Sequence, residues 1–222
     1  MPLDPRRIFP VMCLTQDGVG MRHSEQAALL CAAGARWIQL RMKGTSGPAW
    51  LAEAAAAAQA CRRHGAVLVV NDSVDIALES GADGVHLGSL DGDWRAARRL
   101  LGPDRIIGGT VNNASDADRA ASSGQLDYVG VGPLRFTLTK RKLAPLLGHE
   151  GARSLVARLR GLPAWVIGGV EPADLPLLRE AGAAGVAVSS ALHRGGRVGE
   201  NLREFLEAWA RPAQLVPDGS LS

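Results

Sequence analysis

The sequence predicts an α/β fold, a (β/α)8 TIM barrel in which eight parallel strands alternate with outer helices. Short apolar runs alternate eight times with longer segments rich in Ala, Leu and Arg. Such alternation with short links indicates a parallel sheet, and eight units in 222 residues favour closure into a barrel over an open sheet. Residues 1–210 are expected to form this single domain, and residues 211–222 a flexible C-terminal tail.

The predicted elements follow from apolar runs, helix caps and glycine turns. The predicted strands are Ile8–Leu14, Trp37–Arg41, Ala66–Asn71, Gly84–Leu87, Arg105–Thr110, Tyr128–Gly132, Ala164–Gly168 and Gly185–Ser189. The predicted helices are Ser24–Ala33, Pro48–His64, Val74–Ser80, Asp93–Leu101, Ser115–Ser123, Gly151–Leu159, Pro172–Ala181 and Asn201–Ala210. Ser24 is expected to cap the first helix, and Pro172 fits the first turn of the seventh. A glycine ends several helices, at Gly34, Gly81, Gly124 and Gly182.

Composition argues against a nucleic-acid partner and a membrane location. The 25 basic residues are interspersed with 22 acidic ones, and the densest basic run, Arg95–Arg99, has the spacing of a solvated helix face. The cysteines Cys13, Cys31 and Cys61 lack metal-ligand spacing and indicate a reducing cytoplasm. No long apolar run follows the N-terminal arginines, so no signal peptide or membrane span is expected. The oligomeric state is left open.

The end of the second strand predicts an anion site. Gln39, Arg41 and Lys43 lie at i, i+2 and i+4 and therefore share one strand face, while the apolar Leu40 and Met42 should face the helices. Two cations in a confined barrel mouth are costly unless an anion pairs with them. A guanidinium and an ammonium together suit a phosphate or diphosphate. The alternative is a surface strand end whose charges meet nearby acids.

Two carboxylates follow the neighbouring strands and raise the possibility of a metal site. Asp72 comes after the third strand and Asp91 after the fourth. Mg²⁺ takes one or two carboxylates together with phosphate oxygens and water. Taken alone, Asp72 is better explained as a helix cap and Asp91 as a turn residue. Beside a diphosphate site, a shared Mg²⁺ becomes an equal alternative.

Two later segments predict further phosphate contacts. The long stretch Pro133–Glu150 follows the sixth strand, so it should lie on the active face, where it presents Thr137, Thr139 and Lys140. An ordinary solvated loop is the alternative. The seventh strand ends at Gly168-Gly169 and the eighth at Ser189-Ser190, before a short segment Ala191–His193. Loops seven and eight are the usual phosphate site of this fold.

Seven motifs in order resemble the thiamine phosphate synthase (thiamine-phosphate pyrophosphorylase) family, from about Ile8 to Leu206. They are Gln39-Leu-Arg41-Met-Lys43, Val70-Asn71-Asp72, Gly81-Ala-Asp-Gly-Val-His-Leu-Gly88, Asp127-Tyr-Val-Gly-Val-Gly-Pro133, Thr137-Leu-Thr139-Lys140, Ile167-Gly-Gly-Val170 and Gly185-Val-Ala-Val-Ser-Ser-Ala-Leu192. The resemblance implies a Mg²⁺-dependent transferase. It would join 4-amino-2-methyl-5-hydroxymethylpyrimidine diphosphate to a thiazole phosphate and release diphosphate.

The resemblance also implies roles for individual residues. The pyrimidine diphosphate would be held by Gln39, Arg41, Lys43, Asn71, Thr110 and Lys140, with Arg41, Lys43 and Lys140 as the catalytic cations. The thiazole phosphate would be held by Thr137, Thr139, Gly169, Ser189 and Ser190. Mg²⁺ would be bound by Asp72 and Asp91. No protein nucleophile is required, in keeping with the lack of a Ser–His or Cys–His pattern.

The chain departs from the family pattern at three places. Thr110 stands where the family usually has Ser, Ser89-Leu90 precedes Asp91 in place of Gln-Glu, and Arg135-Phe136 replaces Phe-Pro.

A related thiazole tautomerase uses a His after the fifth strand, where this chain has Asn112. A non-catalytic binding protein for thiamine precursors and a different phosphate-binding barrel, such as an epimerase or aldolase, also stay open. An aldolase would need a buried Lys on a strand.

Overall fold

The strands of this protein close into a single parallel barrel. The computed structural model describes residues 9–88, 93–136 and 145–212. Within these ranges the strands are paired in sequence order, and the eighth returns to the first. The strands are β1 Val11–Leu14, β2 Trp37–Leu40, β3 Val67–Asn71, β4 Gly84–Leu87, β5 Ile106–Val111, β6 Tyr128–Val131, β7 Ala164–Ile167 and β8 Gly185–Val188. The predicted (β/α)8 barrel is thus confirmed.

Helices surround the barrel between successive strands. They are α1 His23–Ala32, α2 Gly47–Arg63, α3 Val74–Glu79, α4 Trp94–Leu101, α5 Ala114–Ser123, α6 Gly148–Arg158, α7 Leu175–Glu180, α8 Ser190–His193 and α9 Val198–Ala210. The short α8 follows the eighth strand, as predicted for a segment beside a phosphate site. In the described ranges, no helix combines the length and apolar character that crossing a bilayer requires.

Two details of the helices differ from the prediction. The cap of α1 is Arg22 rather than Ser24, because Arg22 pairs with Glu25 in the first turn and the Ser24 N–H donates to the Glu53 carboxylate at 2.8 Å. The predicted helix Pro172–Ala181 is divided into a 3-10 turn and α7. The division lies between Asp174 and Leu175, just before Pro176, which lacks the N–H needed to continue a helix from Pro172.

The apolar core has two layers, one inside the barrel and one between the sheet and the helices. The outer layer is rich in Ala, Val and Leu, which allows close helix packing. The inner layer contains a cluster of aromatic rings. Trp37 lies 4.7 Å from Trp165 and 5.0 Å from Tyr128 between ring centroids, in edge contacts. This cluster fills part of the barrel interior.

Gly108 on β5 provides the room for one of these rings. A Cβ at this position would lie 2.2 Å from the Tyr128 ring. We expect Gly108→Ala to destabilise the protein by about 1–3 kcal/mol, as overpacking of a core does, measured by urea denaturation. Gly199→Ala is the control, since a Cβ there meets nothing closer than 3.7 Å. Equal urea midpoints for Gly108→Ala and the wild type would show that Tyr128 moves aside without cost.

Candidate active site

A cavity of about 830 Å³ opens where the strands end, above the aromatic cluster. All the described residues that were predicted to contact a substrate or metal line it. They are Gln39, Arg41, Lys43, Asn71, Asp72, Thr110, Gly169, Ser189 and Ser190. The other predicted residues, Asp91, Thr137, Thr139 and Lys140, lie outside the described residues. One cavity therefore brings together both predicted anion sites.

The end of β2 has the orientation that its alternating pattern predicts. Leu40 and Met42 are buried in the layer between sheet and helices, whereas Arg41 and Lys43 line the cavity. Gln39 is 4% exposed and lies deeper in the cavity wall. Both cations line a concave mouth, although the Lys43 ammonium also pairs with a nearby acid, Asp72, as the surface strand-end alternative expects.

The loop between β1 and α1 holds the backbone of this cationic segment. The buried Thr15 hydroxyl accepts from the Arg41 N–H at 3.0 Å and contacts His23 Nδ1 at 2.8 Å. The Asp17 carboxylate contacts His23 Nε2 at 3.0 Å and accepts from the Lys43 N–H at 3.2 Å. The sequence analysis missed these residues, although polar Thr15 directly after an apolar strand was an available signal.

Removal of the Thr15 hydroxyl tests this support. For the pyrimidine diphosphate that the family resemblance implies as substrate, we expect Thr15→Val to reduce kcat/KM about tenfold, equivalent to one lost buried hydrogen bond of about 1.4 kcal/mol. Thr15→Ser keeps the hydroxyl and should retain at least half of the wild-type value in the same steady-state assay. If valine and serine behave alike, the hydroxyl does not position Arg41.

Asp72 lies at the end of β3, facing Lys43. Its carboxylate pairs with the Lys43 ammonium, and its N–H donates to the His86 carbonyl at 2.8 Å. Its φ of +73° is in the left-handed region, which is uncommon outside glycine and concentrates at functional sites. The interpretation of Asp72 as a helix cap is wrong, because Ser73 caps α3 by accepting from the Ile76 N–H at 3.2 Å.

The oxygen atoms at the end of β3 suit a hard cation that is also coordinated by a bound phosphate ligand. Asp72 offers carboxylate oxygens to the cavity, and Asn71 beside it offers an amide oxygen. No three acidic, His or Cys side chains converge within the part of the chain that the structure describes. A Mg²⁺ bound here would therefore take further oxygens from phosphate and water, which is its usual habit.

A buried polar network crosses the barrel below the cations. His86 Nδ1 contacts the Tyr128 hydroxyl at 3.0 Å, and His86 Nε2 contacts the Thr110 hydroxyl at 3.1 Å. Burial raises the pKa of Tyr128, although a hydrogen bond with Gln39 opposes the shift, so the phenol stays protonated. Sequence reasoning gave His86 no role. Its place between the outward-facing Val85 and Leu87 indicated an inward side chain.

The ends of β7 and β8 supply small groups to the opposite wall. The Ser189 hydroxyl donates to Gln16 Oε1 at 3.2 Å. Gln16 is held in turn by the buried Gln26, through two hydrogen bonds of 2.8 and 2.9 Å. Gly169 has a φ of +66°, a conformation that L side chains rarely adopt, so its backbone is exposed to the cavity without a side chain. This wall carries hydroxyl groups and exposed backbone, together with the Glu171 carboxylate.

Behind that wall, the buried carboxylate of Asp174 binds several groups. It accepts two bonds of 2.5 Å from the Arg135 guanidinium, contacts His149 Nε2 at 2.9 Å and accepts from the Glu171 N–H at 2.8 Å. Burial acts to raise the pKa of Asp174. The bonds from Arg135, Glu171 and His149 outweigh burial and hold this pKa below its usual value.

The lowered pKa of Asp174 predicts a sensitivity to acid. Because the folded-state pKa is below the unfolded value of about 3.9, the carboxylate stabilises the fold fully above that value and loses its contribution as pH falls through the folded pKa. We expect the free energy of unfolding to fall more steeply below pH ~4 in the wild type than in Asp174→Asn. Urea denaturation at a series of pH values measures this, and parallel slopes would contradict it.

The fold and the cavity place the chain in the class of TIM barrels whose strand ends carry groups suited to phosphorylated small molecules. A family model described as thiamine monophosphate synthase matches residues 9–192. The chain belongs to this family. The resemblance found in the sequence motifs is thereby confirmed.

Proteins named thiamine-phosphate synthase resemble the chain over most of its length. That of Myxococcus xanthus is 44% identical over 185 residues, which cover 83% of this chain and 84% of the relative. That of Phocaeicola vulgatus is 40% identical over 174 residues, 77% of this chain and 83% of the relative. The thiamine biosynthesis bifunctional protein ThiM/ThiE of Symbiobacterium thermophilum is 43% identical over 93% of this chain. The chain spans only 43% of that longer protein.

A solved structure supports the same relationship. Thiamine phosphate pyrophosphorylase from Pyrococcus furiosus superposes with a TM-score of 0.82 at 28% identity, over 93% of this chain and 98% of that one. A structure described as 3-hexulose-6-phosphate synthase superposes with a TM-score of 0.66 at 18% identity, over 91% of this chain and all of that one. At that identity the second likeness concerns the fold alone.

Proposed function

We propose that this protein is a thiamine-phosphate synthase. It joins 4-amino-2-methyl-5-hydroxymethylpyrimidine diphosphate to 4-methyl-5-(2-phosphoethyl)thiazole and releases diphosphate and thiamine phosphate. The observation that carries the proposal is that one cavity gathers the described residues expected to contact either substrate. Its two walls differ in character, since one carries the cations and Asp72 and the other carries Gly169 and two serines.

The cationic wall would bind the pyrimidine diphosphate. The Arg41 guanidinium can bind two diphosphate oxygens at once, and the Lys43 ammonium adds a point charge. Gln39, Asn71 and Thr110 lie beside or below them with amide and hydroxyl groups for the ring and the phosphates. Lys140, outside the described residues, is assigned to the same diphosphate through the family motif.

Mg²⁺ would be held by Asp72 and Asp91, and when bound it would neutralise charge on the diphosphate. Asp72 pairs with the Lys43 ammonium in the structure, and its carboxylate oxygens would also serve as ligands for such a cation. The other wall would bind the thiazole phosphate through the Ser189 and Ser190 hydroxyls and the backbone at Gly169. Thr137 and Thr139 would add hydroxyls from the segment outside the described residues.

The reaction needs charge stabilisation and orientation more than acid–base chemistry. The bond between the pyrimidinylmethyl carbon and the diphosphate oxygen breaks, and the electron pair leaves with the diphosphate. The thiazole nitrogen lone pair forms the new bond to that carbon. Arg41, Lys43 and Lys140 would stabilise the charge that develops on the leaving group. The two walls would hold carbon and nitrogen in line, and this converts an encounter in solution into a reaction within one complex.

The alternative functions find less support in the cavity. The Asn112 amide donates to the Gly132 carbonyl and has no titratable proton, so it cannot replace the His of a thiazole tautomerase. The described cavity-lining lysine, Lys43, follows a strand and pairs with Asp72, which does not suit a Schiff base of an aldolase. Turnover distinguishes the synthase from a non-catalytic binding protein.

We also propose that the reaction takes place in the reducing cytoplasm. Cys13, Cys31 and Cys61 are buried as free thiols. The sulfur atoms of Cys31 and Cys61 lie 3.9 Å apart on neighbouring helices without a disulfide. Such a close pair of thiols is compatible with a compartment that keeps cysteines reduced.

A coupling assay tests the proposed function. Purified protein is mixed with both substrates, in one reaction with Mg²⁺ and in a second reaction with a chelator in its place. Thiamine phosphate is quantified by chromatography after oxidation to its fluorescent thiochrome form. Mg²⁺-dependent product is the expected result. Binding of both substrates without any product would overturn the synthase assignment in favour of a binding protein.

A further inference from the structure

Three backbone segments lie side by side behind the cavity wall that Gly169, Ser189 and Ser190 line. Residues 134 and 135 pair with the end of β7, because the Leu134 N–H donates to the Ile167 carbonyl and the Arg135 N–H to the Gly168 carbonyl, both at 2.9 Å. On the other side, the Leu147 N–H donates to the Pro133 carbonyl at 3.0 Å. After β6, the chain therefore runs beside the end of β7. Just before α6, it comes back to the start of this same connection, at Pro133.

Asp174 ties these segments together through side chains. Its carboxylate, 5% exposed, binds Arg135 from the outgoing segment and His149 from the returning one. It also accepts from the Glu171 N–H, four residues after β7. One buried carboxylate therefore links both sides of the β6–α6 connection to the β7–α7 turn.

Arg135 makes a further bond that reaches the cavity wall itself. Its guanidinium donates to the Gly169 carbonyl at 3.1 Å, and a Cβ on Gly169 would lie 3.0 Å from the Arg135 Cβ. Gly169 lines the cavity, while Arg135, His149 and Asp174 are not among the described residues that do. The effect of Arg135 on a ligand is therefore indirect and passes through Gly169.

The charges show why Arg135 is not itself a phosphate ligand. Both of its terminal nitrogens bind the Asp174 carboxylate, so its charge is neutralised in a two-point ion pair. The carboxylate in turn has its oxygens occupied by Arg135, His149 and the Glu171 N–H. Such a saturated pair, buried at Asp174 and half-exposed at Arg135, fixes geometry rather than attracting an anion.

We propose that Arg135, Asp174 and His149 form a positioning unit that sets the Gly169 turn for the phosphate of the thiazole substrate. The proposal rests on the proposed function and adds residues that act from behind the wall. It also gives a role to Arg135, which replaces part of the Phe-Pro usual in the family. Loss of the unit should weaken the thiazole phosphate site and leave the diphosphate site, on the opposite wall, unaffected.

The test compares Arg135→Met with Arg135→Lys and with a matched control. Arg158→Met removes another half-exposed arginine that pairs with an aspartate, Asp118 at 3.2 Å, away from the cavity. In steady-state coupling we expect Arg135→Met to raise KM for the thiazole phosphate about tenfold, as a displaced positioning group does. KM for the pyrimidine diphosphate should change less than twofold. Arg135→Lys should recover part of the loss, and Arg158→Met should resemble the wild type.

Calorimetry separates this inference from the proposed function. Thiazole phosphate and the thiazole alcohol without phosphate are titrated into each variant without the second substrate. We expect Arg135→Met to bind the phosphate form about tenfold more weakly and the alcohol as the wild type does. Unchanged binding of the phosphate form, or equal loss for both substrates in turnover, would overturn the positioning unit. A wild type that binds the thiazole phosphate but forms no product would refute the synthase assignment alone.

Discussion

Replacing Arg41 by alanine is expected to reduce kcat/KM for the pyrimidine diphosphate about 10²–10³-fold, the usual cost of removing a preorganised group that stabilises developing charge. Arg41 lines the cavity from the end of β2, and its backbone is held by Thr15. Under the proposed function, the alanine variant would lose a two-point contact with the leaving group. Steady-state coupling with the thiazole phosphate at saturation measures the loss.

The control for this variant is Arg99→Ala, which removes an exposed arginine from α4. Its activity should equal that of the wild type, and circular dichroism should show an unchanged fold in both variants. Near-normal turnover by Arg41→Ala would contradict the assignment of the cationic wall to the diphosphate.

The second large effect is expected for Asp72→Asn. We expect kcat to fall at least about 10²-fold. The asparagine would bind Mg²⁺ less tightly, so charge on the departing diphosphate would be less well neutralised. In a calorimetric titration in the presence of diphosphate, Asp72→Asn should bind Mn²⁺ at least about tenfold more weakly than the wild type, since an amide is a poorer ligand for a hard cation. This measurement of metal binding does not depend on turnover.

Asp75→Asn is the matched control, since Asp75 lies three residues later on the exposed face of α3. It should leave both turnover and metal binding unchanged. If Asp72→Asn also binds Mn²⁺ like the wild type, Asp72 serves only as the partner of Lys43. The metal proposal would then be wrong.

Much of the fold and of the cationic wall could be predicted because both depend on local periodicity. Alternation along β2 determines that Arg41 and Lys43 share a face, whatever the rest of the chain does. Parallel strands then bring their ends to one side of the barrel. The same reasoning predicted that Leu40 and Met42 pack against helices, and the structure confirms it.

The supporting contacts could not be predicted because they join residues far apart in sequence. Thr15 and Arg41 are separated by 26 positions, and Arg135 and Asp174 by 39. No periodicity relates such pairs, so only the closed barrel brings them together. Asp72 illustrates a second limit, since its positive φ depends on the turn that β3 makes into α3 rather than on the residue type.

The aromatic cluster at the bottom of the barrel has an evolutionary consequence. Trp37, Tyr128 and Trp165 contact one another beneath the cavity, whereas the charged groups lie above them. Substitutions among the upper residues can therefore change what the barrel accepts without removing the interior that keeps it folded. A barrel organised in this way tolerates substitutions at its strand ends, and such tolerance allows new substrate preferences to arise within a lineage.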